Sequence, residues 1–318
     1  LLSIAKSLDR EQHHFYELNI TANDHGKPVK STSQILKINV EDVNDNPPQF
    51  YQHIYKAVVS EESPVGTEVI KVEASDKDLG INGNLTYIIP KGLASDKFII
   101  NEQSGQILTA DSLDREEKAI YLLTVYVKDG DFPAYFDSTT VEIEVLDVND
   151  HAPSFGDSCY SLQIPENSDL SVIHTVVATD LDTGKNSEVT YTIKGGNINN
   201  KFSLDLHSGE LSSHPLDREV IPEYYLVIEA QDKGKPSHSV LCNITVTVLD
   251  QNDNDPVFEK SEYSASISEG ALLNTKVITV KAHDQDEGIN SNITYSLSNE
   301  TLSLFKIDST TGVITTAG

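Results

Sequence analysis

The nine residues Asp42-Val43-Asn44-Asp45-Asn46-Pro47-Pro48-Gln49-Phe50 come back as 147–155 and again as 250–258, in steps of 105 and 103 residues. A period of that length is the size of a domain, so the chain is bound to be a tandem array whose copies each bury a core of their own. Other segments keep the same step. Leu8-Asp9-Arg10-Glu11 returns as Leu113-Asp114-Arg115-Glu116 and Leu216-Asp217-Arg218-Glu219. Asp76-Lys77-Asp78 returns as Asp180-Leu181-Asp182 and Asp284-Gln285-Asp286, each followed by a glycine (Gly80, Gly184, Gly288) and then an asparagine (Asn82, Asn186, Asn290). Asp24, Asp129 and Asp232 share one phase, and Glu61, Glu166 and Glu269 another.

Between these motifs the apolar residues alternate with period two, which predicts half-buried strands. Tyr16, Leu18, Ile20 and Ala22 fall on one face, as do Leu36, Ile38 and Val40. Residues 48–153 contain about seven such runs, among them Tyr55/Ala57/Val59, Tyr121–Val127 and Val141–Val145, and no helical period. That pattern predicts an all-β sandwich. Residues 154–256 repeat it with Tyr160/Leu162/Ile164 facing inward, then Tyr224/Leu226/Ile228/Ala230 and Ile244/Val246/Val248. Residues 1–47 read as the back part of a repeat and 257–318 as the front part of another, so the chain is expected to be a piece of a longer array.

Charge narrows the partners. Fifty acidic against 23 basic residues give a formal net charge of −27, which disfavours nucleic acid and anionic lipid and favours cations. Ten scattered histidines in no ligand spacing offer zinc little. A linker crowded with carboxylates, carboxamides and carbonyls suits a hard cation wanting six to eight oxygens, which is calcium. Asp42-x-Asn44-x-Asn46 copies the opening of an EF-hand loop, but Pro47 stands where that loop needs glycine and no helix pattern flanks it. Paired acids such as Asp114 and Glu116 could serve a glycosidase, yet no tryptophan or substrate-binding aromatic accompanies them. The reading is not an enzyme, and it has no small-molecule substrate. No apolar run approaches the roughly 18–20 residues of a membrane-spanning helix. Five Asn-x-Thr sequons, at Asn19, Asn84, Asn243, Asn292 and Asn299, point outside the cell.

The four motifs recurring in fixed order resemble the extracellular repeat of the cadherin family, over the whole chain. The resemblance implies tandem seven-stranded Greek-key β-sandwich repeats joined by calcium-binding linkers: the end of one repeat at 1–47, complete repeats at 48–153 and 154–256, and the start of another at 257–318. It also implies ligands residue by residue. The first linker would use Asp9, Glu11, Asn44, Asp45, Asp76, Asp78 and Asp129, with carbonyls of Val43, Asn46 and Asn82. The second would hold three ions with Glu61, Asp114, Glu116, Asn149, Asp150, Asp180, Asp182 and Asp232, and carbonyls of Val148, His151 and Asn186. The third would use Glu166, Asp217, Glu219, Asn252, Asp253, Asp284 and Asp286, with carbonyls of Gln251, Asn254 and Asn290. His151 departs from Asn46 and Asn254, but a ligand that acts through its carbonyl survives the change. Asp129-Gly130-Asp131 departs from Asp-His-Gly and Asp-Lys-Gly in the other copies, which puts that loop's shape in question. The arginines of the Leu-Asp-Arg-Glu motifs are expected to pair with neighbouring acids.

In a cadherin-like sandwich the first and last strands run parallel and adjacent, which brings Cys159 and Cys242 to similar height. Cys159 is out of phase with Tyr160 and Leu162, so a bridge between the two cysteines stays an open alternative. The family implies the extracellular portion of a plasma-membrane protein whose partners are other cadherin ectodomains, in cis or trans, homophilic or heterophilic. Within it the chain looks more like the long Fat, Dachsous and protocadherin members than the short ones, which exchange a strand carrying tryptophan. Two roles stay open at this point: calcium-dependent cell–cell adhesion and recognition by these repeats, or a calcium-stiffened mechanical spacer that positions an adhesive or signalling tip elsewhere.

Overall fold

The structure is a computed structural model and describes residues 2–92, 96–130, 132–168, 171–298 and 304–317. Residues 1–148 and 149–318 form two compact units. In the first, Phe15–Asn23 and Ser31–Asn39 make an antiparallel hairpin in which Tyr16 lies opposite Ile38 and Leu18 opposite Leu36. Its alternation is the expected one, but Ile20 is exposed while Tyr16 and Leu18 are half-buried. Among the described residues no second sheet covers this face; residues 2–8 line a cavity together with Tyr16, Leu18 and Ile38.

The remainder of the unit is a sandwich. Ile54–Ser60 pairs parallel with Phe136–Leu146, which pairs antiparallel with Ile120–Lys128 and, through it, with Thr86–Ile88. The facing sheet is Glu68–Lys71, Gln106–Thr109 and Phe98–Ile100. In Ile120–Lys128 every second residue is buried, and Tyr121, Leu123, Val125 and Val127 interleave with Val141, Ile143, Phe98 and Ile107 to form the core. Parallel first and last strands carry the chain in at one pole of the sandwich and out at the other. The motifs in the loops therefore collect at the poles.

The second unit repeats the plan with Leu162–Pro165 parallel to Ser239–Leu249, then Glu223–Gln231 and Thr190–Gly195. Ser171–Thr175, Glu210–Ser213 and Phe202–Leu204 oppose them. Beyond residue 256 come Lys276–Thr279, Val313–Thr316 and Phe305–Ile307, with a short pair at Val257–Phe258 and Ala282–His283. A turn glycine recurs at Gly105, Gly209 and Gly312, with φ of +73°, +70° and +68°. A Cβ there would meet the carbonyl oxygen of Val72, Val176 or Val280 at 2.1–2.3 Å, so only glycine fits.

Tyrosines at matching places in the two sandwiches are core residues. Tyr87 and Tyr191 are buried, and their hydroxyls accept hydrogen bonds from the backbone N–H of Ala74 and Ala178. The aromatic that closes each linker packs on them, Phe50 on Tyr87 and Phe155 on Tyr191, which ties linker to sandwich. Cys159 and Cys242 are joined by a disulfide, with 5.8 Å between their Cα atoms. The inward phase assigned to Tyr160 is corrected: Tyr160 is exposed, lying edge-on to the ring of His174, while Leu162 and Ile164 are buried. A 3-10 turn at Gly156–Ser158 precedes it and the strand begins only at Leu162. The period-two phase does not extend back past that start, and Cys159 is free to pack against the core.

Candidate metal centre

Each predicted ligand loop is folded by its own side chains. In the Asp-x-Asp motif the first carboxylate accepts the N–H two residues on: Asp78 N–H to Asp76 at 2.9 Å, and Asp182 to Asp180 and Asp286 to Asp284 at 3.0 Å. These are Asx turns, closed by Gly80, Gly184 and Gly288 at positive φ. The second aspartate is then held inward: Asp78, Asp182 and Asp286 are all buried. In Leu-Asp-Arg-Glu the aspartate caps its own turn, Asp9 accepting from Gln12 N–H, Asp114 from Glu117 N–H and Asp217 from Val220 N–H.

The strand-end glutamate is a clasp. Glu166 is fully buried and accepts the N–H of Arg218 at 2.8 Å and of Gln251 at 2.7 Å. Glu61 does the same with Arg115 at 2.8 Å and Val148 at 2.7 Å. One carboxylate thus ties the Leu-Asp-Arg-Glu turn to the linker that follows.

At the first joint the linker lies over the loop below it. Asp45 and Asn46 donate their N–H groups to Asp78, and the Asn46 amide reaches both Asp45 and Asp78 at 2.8 and 2.7 Å. The Asn44 amide donates to Asp129 at 3.1 Å, where Tyr135 N–H also arrives. Carboxylate oxygens of Glu11, Asp45 and Asp78 come within 4.8 Å of one another. The third joint matches: the Asn254 amide donates to Asp253 and Asp286 at 2.7 and 2.8 Å, and acidic groups gather as Glu166–Glu219–Asp253 and Glu219–Asp250–Asp286. In the first unit Glu61, Asp114 and Glu116 form a further group. In the second unit the Asn149 amide donates to Asp232 at 3.1 Å and to Pro236 O, as Asn44 does to Asp129 and Pro133 O.

Several acceptors are left with no donor. Oxygens of Asn44, Asp76, Asp129, Asn149, Asp180 and Asp286 are buried and make no hydrogen bond. Burying a carboxylate or amide oxygen unpaired costs about 1–3 kcal/mol, so six such atoms at spacing-nominated positions fit a bound cation. Like charge shows as well. Burial, with Asp78 and Asp129 close by, holds the Asp76 carboxyl above its ordinary range, and burial beside Glu166 and Asp253 does the same for Glu219.

The side chains of other predicted residues are engaged as follows. Asp9 and Asp217 stand outside these acidic groups, the carboxylates of both capping their own turns. The amides of Asn82 and Asn290 donate to Asp42 at 2.8 Å and Asp250 at 2.9 Å. Asn252 and Val43 have exposed side chains. His151 carries a role that its carbonyl alone does not describe. Its Nδ1 faces Asp150 at 2.7 Å and Asp182 at 3.1 Å, and since carboxylates accept, it is the N–H; it grips two acids as Asn46 and Asn254 do. Burial lowers its proton affinity, but the two acids more than offset this and raise it. The His151 carbonyl faces Nδ1 of His238 at 3.0 Å. Asn19, Asn84, Asn243 and Asn292 are exposed; Asn299 and Asp131 lie outside the described residues.

Sequence reasoning passed over the first aspartate of each linker. Asp42, Asp147 and Asp250 each face the guanidinium of Arg10, Arg115 and Arg218. Burial would raise the carboxyls of Asp42 and Asp250, but N–H, amide and guanidinium donors hold both below the usual range. The only sequence signal is that this aspartate recurs with the arginine 32 or so residues before it.

The family model for the cadherin domain matches residues 55–146, 160–249 and 263–318. The chain is 43% identical to Protein dachsous of Drosophila melanogaster, over all of this chain and 10% of that protein. It is 42% identical to Protocadherin-16 of Rattus norvegicus, over 99% of this chain and again 10% of the relative. The chain therefore spans about a tenth of the length of these relatives. Among solved structures, the protocadherin gammaB7 EC3-6 cis-dimer is 30% identical with a TM-score of 0.85, covering 98% of this chain and 78% of that one. Mouse cadherin-23 EC22-24 is 32% identical with a TM-score of 0.72, covering 86% and 88%.

Proposed function

The chain belongs to the cadherin family, and from that premise we propose that it binds calcium at the joints between its repeats, stiffening a cell-surface ectodomain for calcium-dependent cell–cell adhesion and recognition. The observation that carries this reading is the set of buried oxygens without donors on Asn44, Asp76, Asp129, Asn149, Asp180 and Asp286. Calcium suits them because it accepts carboxylate, carboxamide and carbonyl oxygens together, in variable number. At the first joint Glu11, Asp45, Asp78, Asp76 and Asp129 would hold it, and at the third Glu166, Glu219, Asp253, Asp284 and Asp286. Bound there, the ion supplies positive charge to acids that otherwise repel one another by about 1–4 kcal/mol per close pair.

The repeats are taken as 1–47, 48–153, 154–256 and 257–318. No helix among the described residues is long and apolar enough to cross a membrane. The reading places the chain in the extracellular portion of a plasma-membrane protein, with glycans at the exposed Asn19, Asn84, Asn243 and Asn292 and other cadherin ectodomains as partners.

Sedimentation velocity in millimolar calcium and in chelator, over a range of protein concentrations, tests it. Calcium-dependent self-association supports adhesion by these repeats. A monomer whose frictional ratio rises with calcium supports the spacer role. No response to calcium overturns the reading.

A further inference from the structure

We propose that the arginine of the Leu-Asp-Arg-Glu motif is a resident cation of the joint, part of a latch that couples successive repeats before any ion binds. At the third joint Arg218 Nε donates to Asp250 of the linker at 2.7 Å, and Nη2 donates to the carbonyl oxygen of Gln285 at 2.8 Å. Gln285 lies inside the Asp-x-Asp loop of the following repeat. Asp250 continues the connection, accepting Glu287 N–H at 3.0 Å and the Asn290 amide at 2.9 Å. An unbroken path of charge-assisted hydrogen bonds therefore runs from one repeat, through the linker, into the next.

The first joint has the same arrangement, with an ion pair in place of the hydrogen bond between arginine and linker acid. Arg10 Nη2 donates to Lys77 O at 2.7 Å, its Nε faces Asp42, and Asp42 accepts Leu79 N–H at 3.0 Å and the Asn82 amide at 2.8 Å. Within the first unit Arg115 Nε meets Asp147 at 2.5 Å, which is the opening half of that arrangement. Side-chain exposures of 11–13% for the three arginines place the guanidinium in a site where charge-assisted bonds hold against water.

The geometry demands a fork. One nitrogen serves the linker acid while another serves the loop carbonyl and the adjacent glutamate, which a guanidinium does in one plane and an ammonium cannot. The latch also bears on calcium, and here it rests on the function proposed above. Arg218 is paired with Glu219, whose carboxylate belongs to both acidic groups of the third joint. Losing the guanidinium releases that ligand.

The test uses the whole chain with nitroxides on cysteines introduced at exposed Gln163 and Thr310, the two natural cysteines being held in their disulfide. Double electron–electron resonance gives the distance distribution across the third joint. In chelator, Arg218→Ala, Arg218→Lys and Asp250→Asn should each broaden it relative to the parent. A chelator-state distribution for Arg218→Ala equal to the parent overturns the latch. An Arg218→Lys distribution equal to the parent overturns it too, since charge alone would then suffice. A parent distribution that does not narrow on adding calcium overturns the calcium reading and leaves the latch standing.

Discussion

Glu166→Ala separates the two jobs that a joint glutamate can have. Glu166 is fully buried and each of its carboxylate oxygens accepts one backbone N–H, from Arg218 and from Gln251. Alanine leaves both part-buried donors without their acceptor, at about 1–3 kcal/mol each, so the clasp contributes about 2–6 kcal/mol without any metal. For a domain of this size 1 kcal/mol moves the midpoint by about 4–8 °C, which puts the expected loss above about 8 °C. Thermal unfolding should be followed in chelator and again in calcium. The variant should unfold earlier in both, with a further deficit in calcium because a ligand is also gone. A residue that serves only the ion would lower the midpoint in calcium alone. If Glu166→Ala matches the parent in chelator, the argument from its hydrogen bonds is wrong.

Asp286→Asn keeps the shape of the loop but removes a buried charge and should weaken calcium binding at the third joint by at least about tenfold, read by competition with a chelating dye. His151→Asn should leave stability within about 0.5 kcal/mol of the parent in denaturant titration, because the amide can donate to Asp150 and Asp182 as Asn46 and Asn254 do to their acids; His151→Ala should cost about 1–2 kcal/mol. Gly209→Ala forces a Cβ to 2.1 Å from Val176 O at φ of +70°, so it should lose at least about 2 kcal/mol by the same assay. Replacing both Cys159 and Cys242 with alanine opens a closure spanning 83 residues, and chain entropy sets the expected loss at up to about 4.5 kcal/mol.

The sandwich was legible because period two needs no partner to be read: Tyr121, Leu123, Val125 and Val127 alternate in the sequence and alternate in the core. Loop chemistry was legible for a similar reason. An aspartate two residues before another closes an Asx turn locally, so Asp76, Asp180 and Asp284 announce themselves. What stayed hidden depends on who stands opposite. Asp42, Asp147 and Asp250 look like the other linker acids, yet a carboxylate goes to the nearest cation, and that is an arginine about 32 residues earlier that only the fold brings close. The His151 side chain was passed over because its carbonyl seemed sufficient. Ile20 keeps its phase in the hairpin but is exposed, since among the described residues no second sheet faces it and burial belongs to the facing sheet and not to the strand. Tyr160 misled because alternation was carried back past the start of the strand at Leu162.

The acids of the joints fall into two populations with different physical work. Glu61, Glu166 and Asp250 have their oxygens engaged by N–H, amide or guanidinium donors, so their positions are fixed. Asp76, Asp129 and Asp286 each keep a buried oxygen with no donor, and Asp76 is pushed toward protonation by burial and by its neighbours Asp78 and Asp129. The first group spends protein hydrogen bonds to hold the second in a geometry that is unfavourable until a cation arrives. An ion meeting such a site gains from relieving the repulsion and pays little to arrange the ligands, whereas a joint without the first group would have to order both repeats at the moment of binding. Loosening the first population should therefore weaken calcium binding through lost order as well as lost charge, and Asp250→Asn does both, since its carboxylate is held by Arg218, Glu287 and Asn290 and lies in the acidic group with Glu219 and Asp286.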